Sequence, residues 1–135
     1  MIRMNRRRLF IALAVLPVLA PEHGFAAEEK KKGGGLDYIQ IPTLTATVTR
    51  RDGRHGVITV ETGVDVPDHR LHDQAEASTP RLRAAYVQVL MTYAAQLSPG
   101  SPPNADYLAR ELQRQTDLVL GKPGAKLLLG AILIN

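Results

Sequence analysis

The chain contains no cysteine and no tryptophan among its 135 residues, and only two phenylalanines and four tyrosines. The absence of cysteine excludes disulfides, thiolate metal ligands, iron–sulfur clusters and a cysteine nucleophile. The scarcity of aromatic side chains argues against a base-stacking platform for nucleic acid. Hydrophobic residues nevertheless make up 44% of the chain. We therefore expect one packed domain with, at most, a short additional segment.

The formal net charge of +4 is unevenly distributed. Four arginines lie within the first eight residues, and Lys30, Lys31 and Lys32 form a second basic cluster. Residues 36–135 carry ten Lys/Arg and ten Asp/Glu, so this stretch is neutral. Nucleic-acid binding needs basic residues gathered on one face. We therefore expect no nucleic-acid partner.

Residues 1–26 have the pattern of a secretory signal peptide. A basic segment precedes the apolar stretch Leu9–Ala20, and the small residues Gly24 and Ala26 indicate cleavage after Ala26. As a helix this stretch spans about 18 Å, against a hydrocarbon core of about 30 Å. This predicts a periplasmic protein. The alternative is an uncleaved leader that anchors the chain in the inner membrane, and we expect no other membrane contact.

The leader also resembles the twin-arginine export motif. Arg7 and Arg8 form the arginine pair, and Phe10 stands at the motif's aromatic position. The general secretory route remains the alternative, because an ordinary basic segment also contains arginines. Either route indicates a bacterial periplasm. After the leader, residues 27–35 consist of charged residues followed by three glycines, which predicts a flexible linker before a domain over residues 36–135.

The domain opens with the pattern of an antiparallel hairpin. Leu44, Ala46 and Val48 alternate with threonines, which is the period of a half-buried strand. Asp52-Gly53 is a turn sequence, and Gly56–Val66 alternates again as the return strand. Pro42 has no N–H group to donate, so we expect an edge or a break there.

Three helices are predicted after the hairpin. The first covers Asp68–Ala77; the second has Thr79 as its N-cap and Pro80 in its first turn; Asn104 caps the third, which ends at Gly121. The apolar stripe of the second helix comprises Leu82, Tyr86, Val89, Leu90, Tyr93 and Leu97. The predicted inner stripe of the third comprises Leu108, Leu112, Gln115 and Val119.

Residues 125–134 predict a third strand and complete the fold class. Apart from Lys126 they form a continuous apolar run, typical of a strand buried on both faces or of one inserted beside the hairpin. The element order is then β-β-α-α-α-β. We predict an α+β domain in which the hairpin and the C-terminal strand form an antiparallel sheet, with helices packed on one face.

This pattern resembles the periplasmic domain of the FliL family of flagellar basal-body proteins. The resemblance rests on three features: the hydrophobic leader with its Lys/Gly linker, the strand Val57–Val66 followed directly by Pro67-Asp68, and Pro80-Arg81-Leu82-Arg83 at the start of the long helix. The chain departs from the family in its cleavable leader and in the string Thr43–Val48, which lacks the family's aromatic residue. The resemblance implies a non-enzymatic interaction protein of a flagellar or other envelope complex, with a protein partner or self-association and no cofactor.

Two clusters of side chains are candidates for chemistry. His69 and His72 lie three apart and share a helix face, and together with Asp73 they predict a site for Zn²⁺ or Cu²⁺. The alternative is a solvated helix start. Arg50, Arg51 and Arg54 at the hairpin tip can meet an acidic partner or phosphate, or simply be solvated. We predict no catalytic residues, because no Gly-x-Ser-x-Gly elbow or phosphate loop is present.

Overall fold

A computed structural model describes residues 35–135 of the chain. Its elements follow the predicted order and confirm the α+β class, with an antiparallel three-stranded sheet and the helices on one face. Within the described residues, no helix is both long and apolar enough to span a bilayer. The elements are β1 (Tyr38–Thr49), β2 (His55–Asp65), α1 (His69–Ala77), α2 (Thr79–Gln96), α3 (Ala105–Leu120) and β3 (Lys126–Ile134).

β1 and β2 form the predicted hairpin. The turn closes with the Arg50 N–H donating to the Arg54 carbonyl at 2.8 Å, and Gly53 adopts a φ of 82°, which glycine tolerates without strain. The register shifts between Ile41 and Leu44, where Pro42 removes a ladder donor. β1 is also an edge strand. Both expectations for Pro42 are therefore confirmed.

β3 lies beside β2 and runs antiparallel to it, so the sheet order is β1-β2-β3. The prediction of a strand beside the hairpin is confirmed. The alternative, a strand buried on both faces, is wrong, because only Leu127 of this strand is buried. Within residues 35–135, a helix layer covers one side of the sheet only, and β3 has a neighbouring strand on one side only.

The helix ends follow local hydrogen bonding. The Leu71 N–H donates to the Asp68 carboxylate at 2.8 Å, and this bond is the main reason that the pKa of Asp68 is lowered. Asn104 caps α3 in the same way, accepting from the Tyr107 N–H. The predicted N-cap of α2 is wrong by one residue: Ser78 holds that position, and the Thr79 hydroxyl instead donates to the Ala75 carbonyl of α1.

The core lies between the sheet and the helices, with α2 over β1 and α3 over β3. α2 buries Leu82, Tyr86, Leu90 and Ala94. The predicted stripe of α3 is half wrong: Gln115 and Val119 are only half-buried, whereas Thr116 and Leu120 are buried. Thr116 can be buried because its hydroxyl bonds the Tyr86 hydroxyl and donates to the Leu112 carbonyl at 2.8 Å.

Candidate functional site

The outer edge of β3 is an exposed apolar strand edge. Leu133 is 56% exposed and Ile134 is 38% exposed. No charged residue occurs in the chain from Leu127 to Asn135. Proteins normally protect such an edge with charges, prolines or covering segments, because its free N–H and C=O groups pair readily with another strand. We call the free side of Leu127–Ile134 the β3 edge.

The hydrogen-bonding directions along β3 follow from its pairing with β2. Asn135 and Val57 exchange both backbone bonds, at 3.0 and 3.1 Å. Since such pairs alternate along an antiparallel ladder, the N–H and C=O groups of Ile134 and Ile132 point away from β2. These groups are the free donors and acceptors of the β3 edge.

Gln113 of α3 covers the beginning of this edge. Its side-chain oxygen accepts from the Leu127 N–H at 2.8 Å, and its amide nitrogen donates to the Ala125 carbonyl at 2.8 Å. The amide nitrogen also bonds the Asp117 carboxylate at 3.1 Å. The side chain thus imitates a neighbouring strand at one end of β3 and leaves the rest of the edge without such a cover.

A bulge in β3 sets which side chains share a face. Leu129 pairs with Thr62 and Ile132 pairs with Val60, so Gly130 and Ala131 together stand opposite a single residue of β2. One face of β3 carries four residues that pair with buried residues of β2: Leu127, Leu129, Ile132 and Ile134. The uncovered face carries Lys126, Leu128, Leu133 and Asn135.

Tyr38 lies on that uncovered face of the sheet. Its ring crosses Gly63, where a Cβ atom would meet the ring atoms, so glycine is required there by close approach. The hydroxyl donates to the side-chain oxygen of Gln40 at 2.9 Å. Partial burial, and secondly the charge of Glu61, raise the pKa of Tyr38. The ring therefore remains neutral and covers part of a face that no helix covers.

The metal-ligating residues predicted from the sequence are brought together only in part. His72 and Asp73 group with Glu76, with one ligand atom of each lying within 4.8 Å of the others. His69 is exposed and is not part of this group. The Nε2 atom of His72 is buried and has no hydrogen-bond partner within the described residues. Glu76 was absent from the predicted set, although its i, i+4 spacing from His72 places the two on one helix face.

The remaining candidate residues fall in several places. Arg50 and Arg51 line a cavity at the hairpin end of the sheet, while Arg54 lies in the turn. The Tyr93 hydroxyl accepts from the Asn104 N–H at 2.7 Å in an exposed position. The hydroxyl of Tyr86 is buried. The leader residues lie outside the described residues: Arg7, Arg8, Phe10 and Ala26.

Comparison with known protein families and with curated proteins finds no match for this chain. The fold agrees with the element order on which the FliL resemblance was based. Fold alone does not assign function, since one fold serves many activities. The resemblance to the FliL family therefore stays a prediction.

Proposed function

We propose that the chain is a non-enzymatic interaction protein that associates with a second copy of itself through the β3 edge. The observation that carries the proposal is the uncharged strand Leu127–Ile134 with an exposed, largely uncapped side. A single strand edge offers regularly spaced backbone donors and acceptors. Pairing two such edges antiparallel joins the two sheets into a six-stranded sheet around a two-fold axis.

The pattern of β3 selects one register. With the axis between Gly130 and Ala131, Leu129 lies opposite Ile132 of the second copy. In the same register Leu128 lies opposite Leu133, Leu127 opposite Ile134, and Lys126 opposite Asn135. Every pair then places residues of the same face side by side. A slip of one residue would set covered-face side chains against uncovered-face ones, which disfavours the neighbouring registers.

Light scattering combined with size-exclusion chromatography tests the proposal. We expect the purified chain to form a dimer in a concentration-dependent manner. Leu133→Lys should raise the dimer dissociation constant at least about tenfold, because the new ammonium group faces Leu128 and lies diagonal to Lys126 of the partner. Leu118→Lys is the matched control, since Leu118 is 65% exposed but belongs to α3. Equal effects of the two substitutions would refute the β3 interface.

Gln113 provides a test of opposite sign. In the selected register the Leu127 N–H must exchange the Gln113 side chain for the Ile134 carbonyl of the second copy. Gln113→Ala removes that competitor, so we expect tighter association at equal protein concentration. A chain that remains monomeric at high concentration, with and without Gln113→Ala, would contradict the proposal.

The compartment is part of the same proposal. The leader pattern of residues 1–26 and the FliL resemblance support a periplasmic protein that acts in a flagellar or other envelope complex. The assignment to a flagellar complex depends on the resemblance, whereas dimerisation depends on β3.

A second candidate function is metal binding on α1. The favouring observation is the group formed by His72, Asp73 and Glu76, which offers one imidazole and two carboxylates, a donor set suited to Zn²⁺. In a calorimetric titration with Zn²⁺, His72→Ala and Glu76→Gln should weaken binding at least about tenfold. His69→Ala is the matched control and should leave it unchanged. Loss of binding in the His69 variant would instead restore the pair His69 and His72 predicted from the sequence.

A further inference from the structure

A cavity of about 580 Å³ opens at the hairpin end of the sheet. The ends of β1 and β3 form one wall, and the end of α2 with the loop that follows it forms the other. The apolar lining comprises Val48, Leu97, Pro102, Pro103, Ile132 and Ile134. This volume falls within the range of pockets that bind small molecules.

Two arginines line the same cavity, and each is held by a glycine. The side-chain carbons of Arg50 lie across Gly56, where a Cβ atom would come within 2.8 Å of Cγ. The side chain of Arg51 lies across Gly100, where a Cβ atom would come within 2.7 Å of Nε. Both arginine side chains therefore pass close to the backbone beside the cavity, where a larger residue than glycine would collide with them.

Among residues 35–135, no aspartate or glutamate side chain lines this cavity to balance its positive charge. Within residues 35–135, the one ion pair joins Arg114 to Glu111 on α3, and the Asp52 carboxylate accepts from the backbone N–H of Arg54. Guanidinium groups form charge-assisted hydrogen bonds with carboxylates, often bidentate. Within the described part of the chain, the cavity therefore combines an apolar wall with two cations that have no acidic side-chain partner.

We propose that this cavity binds a single-chain carboxylate amphiphile, such as a medium-chain fatty acid, with its head group on Arg50 and Arg51. The apolar chain contacts Val48, Leu97 and Ile134, and Ser101 can donate to the second carboxylate oxygen. Ile132 and Ile134 belong both to the cavity lining and to the β3 edge, whereas Arg50, Arg51 and Leu97 belong to the cavity and not to the β3 edge.

Calorimetric titration with decanoate below its micellar concentration tests the inference. We expect saturable binding of one decanoate per chain. Acetate, which lacks the apolar chain, and decanol, which lacks the charge, should each bind at least about tenfold more weakly. Equal affinity for decanol and decanoate would overturn the role of the arginines, and uptake of many decanoate molecules per chain would overturn the existence of a site.

Substitution locates the site. Arg50→Gln with Arg51→Gln should lower decanoate affinity at least about tenfold, while Arg110→Gln with Arg114→Gln on α3 should not change it. Should the first variant fail to fold, the wild-type chain still decides: decanoate must shift the NMR methyl signals of Ile132 and Ile134, and unshifted signals refute the site.

Vesicles of anionic phospholipid form a separate arm of the test. Binding to vesicles that decanoate does not compete away would overturn the proposal in favour of a membrane surface.

Discussion

The hydroxyl pair formed by Tyr86 and Thr116 is the main polar feature inside the described core. Tyr86 is fully buried, and its hydroxyl bonds that of Thr116. The Thr116 hydroxyl donates to the Leu112 carbonyl, so Tyr86 must be the donor in the pair for both protons to be used. This chain of bonds links α2 to α3 at one point and fixes their relative position.

Removing one member of the pair has an asymmetric effect on stability. Tyr86→Phe should lower the free energy of unfolding by about 1 kcal/mol, because Thr116 keeps its bond to Leu112. Thr116→Val should lower it by about 1–3 kcal/mol, because it leaves the Tyr86 hydroxyl buried without an acceptor. Urea unfolding measures both. In the double variant the costs should not add, and strict additivity would show that the two hydroxyls are not coupled.

Tyr86 also predicts a dependence of stability on pH. The pKa of Tyr86 is raised to about 12, and burial is the largest cause of this shift. Below the unfolded pKa of about 10 the stabilisation is complete, and it is lost as the pH rises from about 10 to about 12. Tyr86→Phe removes the ionisable hydroxyl, so the free energy of unfolding of this variant should not fall for this reason. We therefore expect the free energies of unfolding of the wild type and of Tyr86→Phe, plotted against pH, to converge and then cross between about pH 10 and about pH 12. A constant difference between them would contradict the raised pKa of Tyr86.

Several residue roles could not be read from the sequence. Glu76 was separable from other acidic residues only by its spacing from His72, and carboxylates at that spacing are common on solvated helices. No sequence motif indicates that Gln113 bonds the backbone at the start of β3, because these bonds form only when α3 crosses β3. Arg50 and Arg51 were recognised as a basic tip, but the cavity beside them exists only once the loop after α2 folds against β3.

At the scale of the element, α2 was the most predictable part of the chain. Its apolar residues recur at helical spacing, and the buried positions Leu82, Tyr86 and Leu90 agree with that spacing. α3 was harder, because a buried threonine does not contribute to hydropathy while Val119 does. For β3 the apolar run allowed two alternatives, a strand buried on both faces and one beside the hairpin, and the structure confirms the second.

Leu90 tests the packing of α2. It is 1% exposed, whereas the next residue, Met91, is 52% exposed. Leu90→Ala should lower the free energy of unfolding by about 2–5 kcal/mol through lost burial and the remaining cavity. Met91→Ala is the matched control and should change it by less than about 1 kcal/mol. Thermal and urea unfolding both measure the difference, and similar costs for the two would show that the buried face is misassigned.

At the scale of the whole molecule, the leader predicted over residues 1–26 would determine where the folded domain acts. Arg7→Lys with Arg8→Lys keeps the positive charge but removes the arginine pair. We expect export to fail if the twin-arginine route is used and to persist if the general secretory route is used. Cell fractionation distinguishes the two. Intact mass of the exported chain checks cleavage after Ala26, and a membrane-bound chain that retains residues 1–26 would support the anchored alternative.

The fold of the whole domain was predictable for a simple physical reason. Strand alternation, turn residues and helix caps are local, and they determine the order β-β-α-α-α-β before any long-range contact is considered. The partner, the ligand and the oligomeric state depend instead on surfaces assembled from distant segments. The β3 edge combines Gln113 with Leu127–Ile134, and the cavity combines β1, β3 and a loop. Such combinations have no linear pattern.

The position of β3 also determines how the domain acquires its structure. Its pairing partner, β2, lies more than 60 residues earlier in the chain, whereas β1 and β2 are joined by a short turn. Closing a long loop costs entropy before any contact compensates for it, so the hairpin forms early and β3 docks late. Until β3 docks, the edge of β2 that will pair with it and both edges of β3 are exposed. A chain exported unfolded by the general secretory route would pass through this aggregation-prone stage after crossing the membrane. A chain exported folded by the twin-arginine route would pass through it in the cytoplasm, before export.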